Sequence, residues 1–493
     1  MTSSAQHVID LVRRVLAERR VAGWFVGGMV RDALIGRDTM DVDVIVDCDP
    51  HAVAEWILAA GRAGSGEPHT GFACLDEGWG IYRVVIGDAT IDVVPLEGSL
   101  EEELLRRDLT VNALALPVGA RPSDVIDVVG GMADLESRVA RAVRKDNLTH
   151  DPVRLLRVVR FAVDLDLTVE ARTAEWVREL ACLLDLAPGE RVARELLAAL
   201  ESPRASRFPA LLEELGLLGV LLPELAPLRG IGRFGFHHVD AYDHSLKAYA
   251  FVAQALRGKA LSPGVDSELW SSMLEAVSVE PLAGVRARRA MVLLAALLHD
   301  VGKPSCMTQD GDGRVRFVGH ERAGAEIARQ VAGRLRLSRL ETVHLAALVE
   351  HHMRPCMLGA TDEPPTARAC ARVFRALLDR TPDVCLLGLA DRAASRGPAS
   401  TPDVALRQEE ATARVLDLWH AARRREPERG PLLTGRDLMT HLGIPQGPLI
   451  GRILKELRVA EAAGDVCDRE AALALAHDLL EDDGTDRQDG SAV

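Results

Sequence analysis

Between Val21 and Val46 short apolar runs alternate with glycine: VAGWFVGG, then VRDALIG at helical spacing, then DVDVIV with a period of two. That order predicts a strand, a tight turn, a helix and a second strand. Further strand-like segments stand at Phe72–Leu75, Tyr82–Ile86 and Thr90–Pro95, so the chain up to about residue 130 reads as α/β with a small mixed sheet. After Gly131 the pattern changes to Ala, Leu, Arg and Glu at helical spacing with little β-branched alternation, which predicts a helical remainder. The first stretch, MTSSAQHVIDLVRRVLAERR, reads as an amphipathic helix and not as a cleaved leader. Breaks fall near 135, 205, 240, 285 and 425; 258–284 and 359–366 read as surface insertions, and 423–431 as a linker.

At 493 residues the chain is too long for a single core, and its 48% hydrophobic and 27% charged residues are those of an ordinary folded protein. No apolar run reaches the ~18 residues of a membrane span, which points to a cytoplasmic protein with no membrane partner. Eight scattered cysteines without a CxxC pair argue against a disulfide framework or a thiolate zinc site. The net charge of −14 disfavours a polyanionic partner, but Arg138 to Arg172 carries eight basic against five acidic residues. A locally basic strip of that kind is compatible with phosphate binding.

Gly27-Gly28 closes the first strand-to-helix turn, where backbone N–H groups free of side-chain bulk can cradle phosphate, and Arg31 stands at the helix start. Asp41 and Asp43, one residue apart on a strand, project to one face and can jointly hold divalent cations. Between such cations a 3′ hydroxyl can attack the α-phosphate of a nucleotide. A solvated acidic edge strand is the competing reading of a bare DxD. Farther on, Arg154, Arg157 and Arg160 form one stripe of a helix at 152–162, opposite Leu155, Val158, Val159 and Ala162. Read alone, Asp151 would cap that helix and the arginines would pair with surface acids.

The stretch GGMVRDALIGRDTMDVD (27–43) resembles the signature of class II tRNA nucleotidyltransferases and bacterial poly(A) polymerases, members of the polymerase β superfamily. Three further blocks agree in order: RRDLTVNALAL (106–116), DPVRLLRVVRFA (151–162) and ERVARELLAAL (190–200). The block LLTGRDLMTHLGIPQGPLIGRILKEL (432–457) is similar to the tail of CCA-adding enzymes that carry an HD domain. The resemblance implies an α+β fold: a small polymerase β-like head (1–135) followed by an all-α neck that recognises the base (136–205), a body (206–240), an HD domain (241–422) and a tRNA-binding tail (430–480). It implies Mg2+ at Asp41 and Asp43 as the catalytic pair, triphosphate contacts from Gly28 and Arg31, and a nucleotide contact from Arg107 braced by Arg106 and Asp108. Asp151 and Arg154 would read the base edge, with Arg157 and Arg160 completing the nucleotide site; a carboxylate and a guanidinium offer the acceptors and donors this needs.

Two positions depart from the family pattern. His150 stands where Glu is usual, and IDVVPLEGSLEEELL (91–105) leaves little room for the flexible loop associated with switching from CTP to ATP.

In the helical half, His244, the pair His299-Asp300 after an apolar run, His320, the pair His351-His352 and Asp391 form a second constellation. Imidazole nitrogens with carboxylates suit a divalent metal that keeps positions open for water and phosphate. The pattern resembles the HD phosphohydrolase domain, in which His244, His299, Asp300 and Asp391 would hold a divalent metal of unspecified identity, and His320 and His351 would extend the set towards a second ion or phosphate.

The leading expectation is an enzyme that builds or repairs the CCA end of tRNA from CTP and ATP. The alternatives are partial addition of CC or A, poly(A) addition, or an HD hydrolase whose N-terminal domain only binds.

Overall fold

The computed structural model describes residues 3–488 apart from 66–69, 77–79, 232–238, 261, 280–287, 312–314, 396–400, 426–431, 444, 446, 464–465 and 467. Two compact units divide the chain, Met1–Leu221 and Leu222–Val493.

The first unit opens with α1 (Ser3–Arg19), then β1 (Gly23–Val26), α2 (Gly28–Leu34), β2 (Asp41–Val46), α3 (Pro50–Ser65), β3 (Thr70–Asp76), β4 (Ile81–Ile86) and β5 (Ala89–Pro95). There follow α4 (Leu100–Leu105), β6 (Leu114–Pro117) and β7 (Ile126–Asp127), which complete a seven-stranded sheet of order β3-β4-β5-β2-β1-β6-β7. The sheet is mixed as expected: β2 and β5 run parallel and the other neighbours antiparallel. Strand alternation assigns its faces. Val42, Val44 and Val46 of β2 join one core with Val8, Val12 and Leu16 of α1 and Val53 and Ile57 of α3. Ile45 faces the opposite way, into a smaller core with Val26, Leu104, Ala113 and Ala115. Asp41 and Asp43 share the parity of Ile45, so they lie where that second face runs out of apolar cover.

Past the sheet the unit is helical: α5 (Gly131–Glu136), α6 (Lys145–His150), α7 (Val153–Asp164), α8 (Ala171–Leu180), α9 (Gly189–Glu201), α10 (Phe208–Glu214) and α11 (Leu218–Leu221). One exception to the helical expectation is the short parallel pair β8 (Val139–Ala140) and β9 (Thr168–Val169). On α7 the predicted apolar face is buried in full, Leu155, Val158, Val159 and Ala162 each at 0% exposure.

The second unit contains α12 (Ala241–Ala255), α13 (Ser267–Ser278), α14 (Arg288–Leu298), α15 (His320–Arg334), α16 (Arg339–His351), α17 (Arg354–Met357), α18 (Ala367–Leu377), α19 (Thr381–Ala394) and α20 (Pro402–Arg425). A small hairpin, β10 (Thr308–Gln309) with β11 (Val315–Arg316), interrupts the helices between α14 and α15. The tail helices α21 (Gly435–Leu442), α22 (Pro448–Ala463) and α23 (Arg469–Gln488) share a core that includes Leu438, Ile453, Leu457 and Ala476. The expected insertion at 258–284 contains α13, whose Trp270, Met273 and Val277 are buried; residues 261 and 280–284 of it lie outside the described residues. The expected linker begins inside α20, which runs to Arg425, and 426–431 also lie outside the described residues. Among the described residues no helix is long and apolar enough to cross a membrane.

Candidate nucleotide and metal sites

The first site grows out of the β1–α2 turn. Gly27 has φ +67°, a conformation that side chains rarely adopt, and it caps α2 without a side-chain hydrogen bond. A Cβ on Gly27 would lie 3.3 Å from Arg107 Nη1 and 3.6 Å from Asp43 Oδ2, so the glycine lets the turn, the guanidinium and the carboxylate converge. Arg107 Nε is buried without a hydrogen-bond partner among the described residues, and its charged end is only loosely engaged, by Glu103 at 3.4 Å. A buried donor left unpaired in this way fits a group that donates to an external oxygen.

Asp41 is exposed and Asp43 half-buried, and Asp41 Oδ1 accepts from Thr90 Oγ1. The parallel pairing of β2 with β5 sets Asp43 directly opposite Asp92. Three carboxylates therefore share one face, with Asp92 gripped by Arg83 through two hydrogen bonds of 2.7 Å. Burial lifts the Asp43 carboxyl above the usual range; Arg107 opposes this, and Asp92 and Asp41 add to it. A cation among the three would relieve that repulsion, and hard oxygen donors suit Mg2+. Asp92 is not among the sequence candidates, where it lies within the strand-like segment Thr90–Pro95. Its signal was an acid between two apolar strand residues, Ile91 and Val93, whose partner strand was not legible.

Arg31 is buried under this turn: its guanidinium donates to Asp32 (2.8 Å) and to Asn112 and stacks on Phe161 at 4.9 Å. A Cβ on Gly28 would lie 3.5 Å from Arg31 Nη2. Asp108 does not brace Arg107 as expected. It is buried, accepts 2.6 Å from Arg157 Nε and 3.0 Å from Asn112, and so joins the turn to α7. Burial alone would raise the Asp108 carboxyl, but the charge of Arg157 and hydrogen bonds from Asn112, Arg157 and the Leu109 amide hold it well below the usual carboxylate range. Arg160 donates to the buried Glu195 of α9 and lies 3.9 Å over the Phe161 ring. Arg157 and Arg160 thus have internal partners, Asp108 and Glu195, neither of them the surface acid that the residue pattern alone suggested.

Asp151 and Arg154 do lie together. Asp151 makes no side-chain cap to α7; its Oδ2 is 3.4 Å from Arg154 Nε and accepts 2.8 Å from Arg191 Nη2. Arg154 Nη1 donates to the carbonyls of Arg106 (2.6 Å) and Asn147 (3.4 Å). His150 turns to its own helix, with Nδ1 2.7 Å from the Asp146 carbonyl. In the segment 91–105 only 96–99 lie outside regular elements: β5 takes its start and α4 its end, with Ser99 and Glu102 in a reciprocal capping box and Leu104 fully buried.

The second site lies in the second unit, where four helices and the turn after α14 converge. His244 Nε2 is 2.8 Å from Asp391 Oδ1, His299 Nε2 is 3.4 Å from Asp300 Oδ2, and His320 Nε2 is 3.5 Å from Asp300 Oδ1. Lys303 Nζ donates 2.6 Å to Asp300 Oδ2. A Cβ on Gly302 would fall 2.1 Å from the His320 carbonyl, so only glycine lets α15 seat against this turn. Two groups have ligand atoms within 4.8 Å of one another: His244, His299 and Asp391, and His299, Asp300 and His352. Nδ1 of His299, His320 and His352 contacts the carbonyls of Ala296, Phe317 and Val349, respectively. With Nδ1–H donating there, each Nε2 is left as a lone pair facing the cluster, as backbone carbonyls orient metal-binding histidines. Among the described residues His299 Nε2 and His320 Nε2 are buried without hydrogen-bond partners, and burial pushes His352 down to about 3, keeping it the neutral imidazole a metal needs. His352, not His351, faces the cluster, because one residue turns about 100° around a helix. The donor set fits a divalent transition metal.

The chain matches the poly A polymerase head domain over residues 23–141, a probable RNA-binding region of polymerase A over 166–228, and the HD domain over 242–394. It is 39% identical to the A-adding tRNA nucleotidyltransferase of Deinococcus radiodurans over 459 residues, 91% of this chain and 94% of that protein. It is also 39% identical to the CC-adding tRNA nucleotidyltransferase of Thermus thermophilus over 457 residues, 91% of this chain and 92% of that protein. Its fold is similar to that of a CCA-adding enzyme solved with ATP, with a TM-score of 0.56 at 18% identity over 98% of this chain and 95% of the other. With the poly A polymerase head, the adjoining RNA-binding region and full-length likeness to enzymes of both partial specificities, the chain belongs to the tRNA nucleotidyltransferase family.

Proposed function

We propose that the first unit adds nucleotides from CTP and ATP to the 3′ end of tRNA in the cytoplasm, building or repairing CCA. The observation that carries this reading is the convergence of Asp41, Asp43 and Asp92 with Gly27 and the unpartnered Arg107 Nε. In it, Asp41 and Asp43, with Asp92 beside them, hold Mg2+. A divalent cation bound there would acidify the 3′ hydroxyl and neutralise charge on the phosphates in an in-line displacement. The amide of Gly28 and the Arg107 guanidinium receive the triphosphate, and Arg31, buried beneath Gly28, adds positive charge to the turn. Arg157 and Arg160 serve the nucleotide by holding α7 to Asp108 and Glu195.

Asp151 and Arg154 select the base. Asp151 Oδ1 and Arg154 Nη2 carry no protein hydrogen bond among the described residues, which leaves one acceptor beside one donor. Cytosine and adenine both present an amino donor next to a ring-nitrogen acceptor, whereas uracil and guanine present the reverse, so the pair suits C and A. Asp41, Asp43 and the base readers act in a head and a neck within the first unit, and the helices after residue 430 form a tRNA-binding tail. In the second unit, His244, His299, Asp300 and Asp391 hold a divalent metal in a phosphohydrolase site. That metal would activate water against a phosphate ester.

A second reading, addition of CC only or A only, is favoured by the span between Pro95 and Arg106, where a capped helix stands in place of a free loop. Single-turnover incorporation on tRNA transcripts lacking CCA, lacking CA and lacking A separates the two. Ordered addition of C, C and A supports the complete activity; arrest after CC, or addition of A alone, replaces it with the partial one.

A further inference from the structure

We infer that Arg191 is a positioning residue for nucleotide selection, acting through Asp151. The inference rests on the proposal that Asp151 and Arg154 read the base. Asp151 stands at the α6–α7 junction, where the backbone is not helical (φ −133°, ψ 87°), and its side chain is about a quarter exposed. A short carboxylate at such a corner is free to turn unless something holds it.

Its own neighbour in the pair cannot hold it usefully. If Asp151 closed onto Arg154, the acceptor and the donor would satisfy each other and the edge meant for the base would be lost. The 3.4 Å separation between Arg154 Nε and Asp151 Oδ2 is longer than a charge-assisted hydrogen bond, whereas Arg191 Nη2 sits at 2.8 Å from the same oxygen. Arg191 comes from the first turn of α9, a helix with Leu196, Ala199 and Leu200 fully or almost fully buried. Arg154 is meanwhile held by the Arg106 and Asn147 carbonyls, and Asn147 Nδ2 donates to the carbonyls of Leu105 and Arg107. His150 points away from the pair to Asp146. Arg191 is thus what draws Asp151 Oδ2 off Arg154 and leaves Oδ1 to a base amino group. Holding donor and acceptor apart before the nucleotide arrives is preorganisation, which discriminates without further rearrangement.

The test is selection between bases of the same size and opposite edge pattern: CTP against UTP on tRNA lacking CCA, and ATP against GTP on tRNA ending in CC. In Arg191→Ala, kcat/KM selectivity for whichever nucleotide the enzyme adds should fall about tenfold, a coupling usual for charged neighbours. Arg191→Lys should restore part of it, and Arg191→Ala should add nothing in an Asp151→Ala background. Arg191 is 43% exposed, so these variants should fold, which thermal midpoints check. An equal fall in rate for all four nucleotides, or unchanged selectivity while Asp151→Ala loses it, overturns the role of Arg191 and leaves the base reading intact. Unchanged selectivity in Asp151→Ala itself would instead remove the base reading.

Discussion

The carboxylate face of the first unit and the histidine–aspartate cluster of the second both gather ligands for cations, but by opposite routes. Asp41 and Asp43 lie on a single strand, and alternation alone brings them to one face. His244 and Asp391 are 147 residues apart and meet only because α12 packs beside α19. The surroundings differ as well. Asp41 is exposed, whereas His244 and His299 are fully buried. A site that must admit a triphosphate and the end of an RNA needs an open face, and a site built to keep an ion needs enclosed, preoriented donors. A short strand presents a face of carboxylates by local geometry, whereas a helical bundle gathers its histidines and carboxylates only through packing.

The largest effect would test the independence of the two sites. Asp41→Asn with Asp43→Asn should lower nucleotide incorporation by at least about a thousandfold, while the metal content of the second unit stays unchanged. His299→Ala with Asp391→Ala should do the reverse, weakening metal retention by more than the roughly 10–100-fold that losing a supporting group costs. Elemental analysis and incorporation assays on both proteins read this out; joint loss in either would break the comparison.

A smaller effect sharpens the contrast in how buried charge is used. Asp108→Asn leaves Arg157 with Glu195 alone and should cost about 3–5 kcal/mol, as breaking a buried pair does. Because the folded carboxyl of Asp108 is held below its ordinary value, its contribution is complete above the ordinary pKa near 3.8 and is lost as pH falls from there towards the folded value. The gap in thermal midpoint between wild type and variant should therefore narrow progressively on acidification below about pH 4. A gap that had not narrowed at all by about pH 2 would mean that shape, not charge, makes Asp108 necessary. The smallest effect concerns α4: Ser99→Ala removes one half of its capping box and should destabilise the helix by about 1 kcal/mol. Faster amide exchange confined to 100–105 is the expected sign, and no change there would mean that the buried Leu104 holds the helix unaided.

Much of this was legible because it depends on covalent geometry. A period of two in DVDVIV places the aspartates on one side of a strand, and the 3.6-residue period of 153–164 assigns Leu155, Val158 and Val159 to the core. The blocks at 27–43, 106–116 and 151–162 carried the family, and the residues they offered do surround the β1–α2 turn and the α6–α7 junction. The segment 258–284 was misread because its glycines and prolines hid the apolar spacing of Trp270, Met273 and Val277. Asp92 joins Asp43 only through strand register, which no single strand encodes. Arg157 and Arg160 prefer Asp108 and Glu195 to solvent because α7 packs on α9, and His352 replaces His351 because the orientation of α16 decides which side faces the cluster. Local sequence thus determined which elements form and which side of each is apolar, since both follow from backbone repeat and side-chain transfer out of water. Tertiary structure alone decided which charges meet, because the strength of a charge pair depends on distance and burial that only the packing of distant elements sets.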